Sequence, residues 1–141
     1  MNGYRIQESE LSTQLKSRNT VNEGSIEEIM CFKEKVHVVT GASSGIGRSC
    51  VEKLLESGAV VNGIDRQPSS VNNKLYQHFA TEITDEPGIE HIVGEISQKY
   101  GRIDGLVNAT GRWGNSTPFY ETETADWENV ISVNLTGMFV V

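Results

Sequence analysis

Glycines and small hydroxyl side chains are concentrated in one short segment, TGASSGIG at residues 40–47. A valine-rich stretch precedes this segment and a helical pattern follows it, so it should connect a strand to a helix. Glycines at such a connection let a diphosphate approach backbone N–H groups and the positive end of the helix dipole. Ser43 and Ser44 add hydroxyl donors, and Gly47 would let the helix pack closely on the sheet. We therefore predict a phosphate-binding loop; the alternative is a glycine-rich turn without a function.

An acidic residue, Asp65, ends the next valine-rich stretch, about 20 residues beyond the glycines. A carboxylate at this point accepts hydrogen bonds from both hydroxyls of an adenosine ribose and repels a 2′-phosphate. NAD is therefore predicted as the cofactor in preference to NADP. Arg66 follows directly and would soften that preference by meeting a phosphate, whereas the glycine loop contains no lysine or arginine. The alternative for Asp65 is an ordinary turn residue.

Strands and helices should alternate along the chain from Phe32 onward. The predicted strands are residues 35–40, 59–65, a stretch within 74–83, and 103–110. The predicted helices are residues 45–58, 87–101 and 125–141. This alternation favours a parallel sheet with helices on both faces. Right-handed crossovers then give an α/β, doubly wound (Rossmann-like) nucleotide-binding fold.

The first and last predicted helices end in different ways. The apolar stripe of the first helix comprises Ile46, Cys50, Val51, Leu54 and Leu55. Gly58 should close that helix with a left-handed cap. The last helix runs to an apolar end at residues 138–141 without a glycine or a basic last turn. We therefore expect a truncation, an incomplete gene model or a fragment, with the sheet incomplete on its C-terminal side.

The composition limits the class of protein. The chain has 141 residues, enough for one compact domain, with 37% hydrophobic residues and a net charge of −7. It contains no cluster of lysine and arginine, which argues against nucleic-acid and membrane-surface binding. No apolar stretch is long enough to span a bilayer, and the first residues lack the apolar core of a secretion signal.

Cysteine and histidine usage argues against a disulfide framework and a metal site. Cys31 and Cys50 have no short spacing, which fits a reducing cytoplasm. The three histidines, His37, His78 and His91, are scattered, so we expect no metal ligation.

The N-terminal part of the chain differs in composition from the rest. Residues 1–31 are polar and lack a sustained apolar period, which predicts a loosely ordered extension. We expect at most a short helix near residues 25–30, because Ser25 precedes Glu28 in a capping-box pattern. Residues 32–141 should form the truncated dinucleotide-binding domain.

The motif TGASSGIG resembles the glycine motif of the short-chain dehydrogenase/reductase family without a mismatch, and the resemblance extends over residues 32–141. It implies a fold of the Rossmann type and an oxidoreductase activity. It also implies that the diphosphate site is lined by Gly41, Ser43, Ser44, Gly45, Ile46 and Gly47.

Two further segments resemble the family with departures. ATEITDE is similar to the segment after the third strand, where an aspartate meets the adenine amino group; here Glu82 takes that place, followed by Ile83. The Asn-Asn-Ala-Gly segment of the family, which lies beside the cofactor riboses, corresponds to Asn108, Ala109, Thr110 and Gly111. The middle pair differs from the family, so the resemblance there implies backbone roles.

The last helix is similar to the long interface helix of the family. Asn134 matches the catalytic asparagine, which in the family helps to hold a proton-relay water by distorting the helix. The alternative for Asn134 is a solvent-facing helix residue. The resemblance also implies a small alcohol or carbonyl substrate in the full-length relative and a homo-oligomer through this helix. Trp113 lies where substrate approaches in the family, and we expect it to be a packing residue.

The remaining catalytic groups of the family are a serine and a tyrosine followed four residues later by a lysine. The tyrosines that lack such a lysine are Tyr4, Tyr76, Tyr100 and Tyr120. Three hypotheses follow. The chain is the NAD-binding portion of a hydride-transferring oxidoreductase, or a non-catalytic dinucleotide-binding or subunit-pairing module, or a truncated product without function.

Overall fold

The structure is a computed structural model that describes residues 32–141. The short helix predicted near residues 25–30, with its Ser25 and Glu28 capping box, lies outside the described residues.

Four strands form one parallel sheet. They are β1 (Val36–Thr40), β2 (Val60–Asp65), β3 (Tyr76–Ala80) and β4 (Gly105–Asn108). Their order in the sheet is β3-β2-β1-β4. The chain therefore moves outward from β1 to β3 and then crosses back to the other side of β1. This reversal places a crevice beside the carboxyl ends of β1 and β4, which is where open parallel sheets bind ligands.

Helices follow the strands as the sequence predicts. They are α1 (Gly45–Glu56), α2 (Glu86–Tyr100), α3 (Thr124–Ile131), a π-helical turn (Ser132–Thr136) and α4 (Gly137–Val140), with a 3₁₀ turn at Phe119–Glu121. Gly58 follows α1 with a φ of 81°, which confirms the left-handed residue expected there. The parallel sheet with alternating helices confirms the Rossmann-like prediction.

The predicted C-terminal helix is present as helical residues without a gap from Thr124 to Val140, but it contains a π-helical turn. A π-helical turn at Ser132–Thr136 separates α3 from α4. A π turn inserts one residue into the helical repeat, and hydrophobic spacing does not reveal so local an insertion.

Apolar side chains cover both faces of the sheet. On one face the buried residues are Val36, Val38, Ile64, Ile89, Ile92 and Ile96, with Val140 and Val141 packed against them. On the other face they are Val39, Ala42, Val51, Ala59 and Val61. Each fully buried branched side chain stabilises the fold by about 1.5–3 kcal/mol, so these two layers hold the strand ends in place.

One member of the predicted α1 stripe does not face this core. Ile46 is 78% exposed, whereas Val51 is fully buried and Cys50, Leu54 and Leu55 are partly buried. Ile46 lies in the first turn of α1, beyond the carboxyl end of β1, where no sheet remains for it to cover.

Candidate functional site

A cavity of about 850 Å³ opens at the carboxyl ends of the strands. The predicted site residues that line it are Gly41, Ser44, Gly45, Ile46, Asp65, Arg66, Glu82, Ile83, Ala109, Thr110, Gly111 and Asn134. The predicted site residues outside the lining are Ser43, Gly47 and Asn108. The volume lies within the range typical of small-molecule and cofactor sites.

The glycine loop is shaped by close backbone approaches. Gly41 has a φ of 66°, and a Cβ atom there would lie 2.7 Å from the carbonyl oxygen of Ala109. A Cβ atom at Gly47 would collide with the Gly41 carbonyl. Only glycine fits both positions, because a side chain would push α1 and the segment after β4 away from the loop.

Gly45 differs from these two glycines. It has a φ of 53°, and apart from its chain neighbours and the backbone of its own helix no atom would lie within 4 Å of an added Cβ. The space beside it is therefore open, and Gly45 itself lines the cavity. The hydroxyl of Ser44, the N-cap of α1, makes no capping hydrogen bond. The loop thus presents free N–H groups and a hydroxyl at the positive end of a 12-residue helix.

Asp65 connects the glycine loop to the chain after β2. Its Oδ2 accepts a hydrogen bond from the Ser43 backbone N–H at 3.0 Å, and its Oδ1 accepts one from the Gln67 backbone N–H at 2.9 Å. The Ser43 hydroxyl donates to the Gln67 carbonyl at 2.8 Å. Each carboxylate oxygen keeps acceptor capacity for a further donor in the cavity. Ser43 therefore lies outside the cavity lining and holds the glycine loop to the chain after β2.

Arg66 and Glu82 face each other across the carboxyl ends of β2 and β3. The Arg66 Nη1 lies 3.5 Å from the Glu82 Oε1, with side chains 59% and 55% exposed. The next residue, Ile83, is buried, and a Cβ atom at Gly137 would lie 2.7 Å from its Cγ2. Gly137 thus lets the start of α4 pack directly against the cavity wall.

Thr40 holds the segment after β4. Its buried Oγ1 accepts hydrogen bonds from the backbone N–H groups of Ala109 at 3.1 Å and Thr110 at 3.3 Å. The same hydroxyl donates to the Asn108 Oδ1 at 3.3 Å. Asn108 therefore supports the lining without entering it. The sequence reasoning did not give Thr40 a functional role, although its position at the start of the glycine motif was a signal.

Asn134 lies in the π-helical turn and binds the chain after Gly111. Its Oδ1 accepts a hydrogen bond from the Arg112 backbone N–H at 2.7 Å, and its Nδ2 donates to the Arg112 carbonyl at 2.9 Å. This pair of bonds fixes the loop that closes one side of the cavity. The sequence reasoning also missed Arg112, whose neighbour Trp113 lines the cavity with it.

Trp113 is 94% exposed. The expectation that it is a packing residue is therefore wrong. It belongs to the extended chain between β4 and the 3₁₀ turn, where the described residues provide no layer to cover it.

Tyr76 lies outside the residues that line the cavity. Burial raises the pKa of its hydroxyl, which lies 3.2 Å from the His78 Nδ1. A tyrosine that exchanges protons near neutral pH needs a lowered pKa.

Residues 32–141 contain no cluster of three or more histidine, cysteine, aspartate or glutamate side chains suited to a metal ion. Over the same range, no helix has the length and apolar character required to cross a membrane.

Comparisons with known proteins agree with this geometry. The sequence profile of the short chain dehydrogenase family matches residues 35–141. The chain is 32% identical to the 3-oxoacyl-[acyl-carrier-protein] reductase of Thermotoga maritima over 121 residues, which are 79% of this chain and 49% of that protein. It is 33% identical to the sorbitol-6-phosphate 2-dehydrogenase of Klebsiella pneumoniae over 118 residues, which are 77% of this chain and 44% of that protein.

Solved structures also resemble this chain. A short chain dehydrogenase from Leptospira borgpetersenii with bound NAD⁺ superposes with a TM-score of 0.73 at 27% identity, covering 82% of this chain and 45% of that chain. ElxO with bound NADP superposes with a TM-score of 0.70 at 26% identity, covering 76% and 47%. The chain spans about half the length of the proteins it matches.

Proposed function

The chain belongs to the short-chain dehydrogenase family, and on that premise we propose that residues 32–141 bind the dinucleotide of an oxidoreductase acting on a small alcohol or carbonyl substrate. Bound NAD would accept a hydride from the alcohol, and NADH would return one to the carbonyl. The residues of this chain would bind and orient the cofactor and exclude water from one side of it.

The observation that carries this proposal is the open space beside Gly45. At Gly41 and Gly47, neighbouring backbone atoms occupy the space that a Cβ atom would need. An added Cβ at Gly45 would meet nothing within 4 Å. That space adjoins the N-terminus of α1, where N–H groups and the helix dipole favour a diphosphate. The donor set fits a dinucleotide, and the cavity has room for one.

The preference for NAD is also part of the proposal. Relatives with NAD⁺ and with NADP are both known, so the choice depends on this chain's own residues. Asp65 lines the cavity with a carboxylate whose two oxygens can each accept one more hydrogen bond. That arrangement suits two ribose hydroxyls and opposes a 2′-phosphate.

Asn134 is proposed as the residue that positions the catalytic side of the cavity. Its amide holds both main-chain groups of Arg112 and lies within the π-helical turn. Because no tyrosine of these residues is followed four positions later by a lysine, we propose that the groups that exchange the substrate proton are not among them. We also propose that the protein forms a homo-oligomer through the last helix and is located in the cytoplasm.

The absence of that tyrosine–lysine pair from these residues also supports a second candidate, a dinucleotide-binding module without catalysis. The coding sequence after codon 141 distinguishes the two. An in-frame continuation with Tyr-x-x-x-Lys supports the oxidoreductase, and a stop codon supports the module.

Titration calorimetry of NAD and NADP against the full chain and two glycine variants tests the proposal. Gly45→Ala places a methyl group in the open space at a positive φ, so NAD affinity should fall about tenfold or more. Gly94→Ala is the matched control, because Gly94 in α2 also has open space but lies outside the cavity. Equal loss in both variants, or equal affinity of the parent chain for the two cofactors, would contradict the proposal.

A further inference from the structure

We propose that Glu82 enforces the choice of NAD over NADP by holding the Arg66 guanidinium away from the place of a 2′-phosphate. This inference rests on the proposed dinucleotide binding. It gives Glu82 a role in specificity through Arg66, whereas the family resemblance implies a contact with adenine.

The fold brings Arg66 and Glu82 together. β2 and β3 are adjacent, with Asp65 in register with Ala80, and the Thr81 N–H donates to the Asp65 carbonyl at 3.2 Å. The residues that follow the two strands therefore leave the sheet side by side. Arg66 Nη1 and Glu82 Oε1 are 3.5 Å apart, and both residues line the cavity.

The charges at this end of the cavity oppose an additional phosphate. Asp65 and Glu82 each carry one negative charge, and Arg66 carries the single positive charge among these three neighbours. A guanidinium is the side chain best suited to a phosphate, so an unpaired Arg66 would attract NADP. With Glu82 beside it, the cluster has a net negative charge and the guanidinium already has an anionic partner.

The pair is suited to bias the choice of cofactor without blocking it. Both side chains are more than half exposed, and exposed ion pairs contribute little to folding stability. Removing the Glu82 charge should therefore leave the fold intact. The predicted effect depends on the charge of the ligand: the affinity for NADP should change, and the affinity for NAD should stay nearly the same.

The experiment compares four full-length proteins: the parent, Glu82→Gln, Arg66→Ala and the double variant. The probes are NAD, NADP, 5′-AMP and adenosine 2′,5′-bisphosphate, and binding is measured by titration calorimetry at low and high salt. Glu82→Gln should raise the affinity for NADP and for the bisphosphate roughly threefold to tenfold. Affinity for NAD and 5′-AMP should stay within about twofold.

Dependence on Arg66 is the decisive outcome. In the Arg66→Ala background, Glu82→Gln should raise the affinity for NADP and for the bisphosphate very little. In the parent background, high salt should reduce the rise in affinity that Glu82→Gln causes. Glu90→Gln is the control: it removes one negative charge from the exposed side of α2, away from the cavity. It should change neither the affinity for NADP nor that for NAD.

Four results would overturn the inference. An equal gain in NADP affinity with and without Arg66 would mean that Glu82 acts by its own charge alone, and no gain at all would mean that it plays no part in the choice. Failure of the parent protein to bind any of the four probes would instead refute the proposed dinucleotide binding, and the inference with it. A lower melting temperature for Glu82→Gln together with weaker NAD binding would show a structural role.

Discussion

The carboxylate of Asp65 accepts a hydrogen bond from the backbone N–H of Ser43, 22 positions earlier in the chain, at 3.0 Å. A residue expected to select the cofactor thus also fixes the conformation of the glycine loop. The Ser43 hydroxyl also donates to the Gln67 carbonyl, so two hydrogen bonds join Ser43 to the chain after β2. A third, from the Gln67 N–H to the other Asp65 carboxylate oxygen, lies within that chain.

Replacing Asp65 should therefore have two effects. Asp65→Ala removes the repulsion of a 2′-phosphate, so the preference for NAD over NADP should fall. It also releases the Ser43 and Gln67 N–H groups, so the absolute affinity for both cofactors should fall, by about tenfold for NAD. Calorimetric titration of both cofactors measures the two effects separately. A lower preference with unchanged NAD affinity would show that the hydrogen bond to Ser43 does not matter for binding.

The buried Thr40 hydroxyl offers a test of how the cavity wall is held. Thr40→Val keeps the shape of the side chain but leaves the Ala109 and Thr110 N–H groups without their acceptor. An unsatisfied buried group costs about 1–3 kcal/mol, so the free energy of unfolding should fall by that amount. Thr40→Ser keeps the hydroxyl, so its free energy of unfolding should fall by less than that of Thr40→Val. Denaturant unfolding of the full-length variants measures the difference, and equal stability of parent and Thr40→Val would contradict this assignment.

The sequence predicts the parts of this site that depend on local pattern. The glycine loop, the acid after β2 and the order of strands and helices all follow from spacing and residue type. Side-chain contacts between distant segments do not follow from it. The bonds of Asn134 to Arg112 join residues 22 positions apart, and hydrophobic spacing alone does not reveal the π turn that carries Asn134.

Exposure was also hard to predict from residue type. Ile46 and Trp113 are large and apolar, yet the structure places both at the cavity, largely exposed. Periodicity assigns a residue to a face of a helix, but it does not show where the sheet beneath that face ends. For Ile46 the sheet has already ended, which is why the stripe begins effectively at Cys50.

Asp104 should make stability depend on pH in the acid range. The Arg102 guanidinium, together with the Val36 backbone N–H, holds the pKa of the Asp104 carboxyl well below its usual range. A carboxyl whose pKa is lower in the folded state stabilises the fold above its unfolded pKa of about 3.9, and the contribution is lost as the pH falls through the folded value.

Asp104→Asn should accordingly lower the melting temperature at pH 7, and the gap to the parent should narrow below about pH 4. Glu90→Gln is the control for loss of an exposed carboxylate and should show no such trend. Thermal unfolding followed by circular dichroism from pH 3 to 7 measures this. A constant gap over that range would show that Asp104 is not held by its neighbours as described.

The 141-residue segment by itself should show no alcohol oxidation or carbonyl reduction. Binding at the glycine loop orients a cofactor, but no tyrosine of this chain is followed four residues later by a lysine, and Tyr76 lies outside the cavity lining. Absorbance at the nicotinamide band with a panel of alcohols and ketones is the measurement, and a complete short-chain dehydrogenase is the positive control. Cofactor-dependent turnover by the purified segment would contradict the prediction.

The same segment should self-associate. Within residues 32–141, β4 pairs only with β1, so its second edge offers unpaired backbone groups. Large apolar side chains are exposed nearby on the last helical segment, with Leu135 at 65% and Phe139 at 88%. Covering one such side chain is worth about 1.5–3 kcal/mol, so pairing with a second copy is favoured. We expect oligomers, aggregates or partial unfolding by light scattering and thermal scans.

Bound cofactor should reduce the self-association and partial unfolding only in part. Ligand binding adds about 2.7 kcal/mol to the free energy of unfolding at a hundredfold excess over the dissociation constant. Leu135→Glu with Phe139→Glu removes the apolar surface and should shift the segment toward monomer. Ile46→Glu, an exposed apolar position on α1, is the matched control for added charge and should leave the association unchanged. A monodisperse monomer of the parent segment that unfolds cooperatively without cofactor would mean that neither the β4 edge nor the last helix drives association.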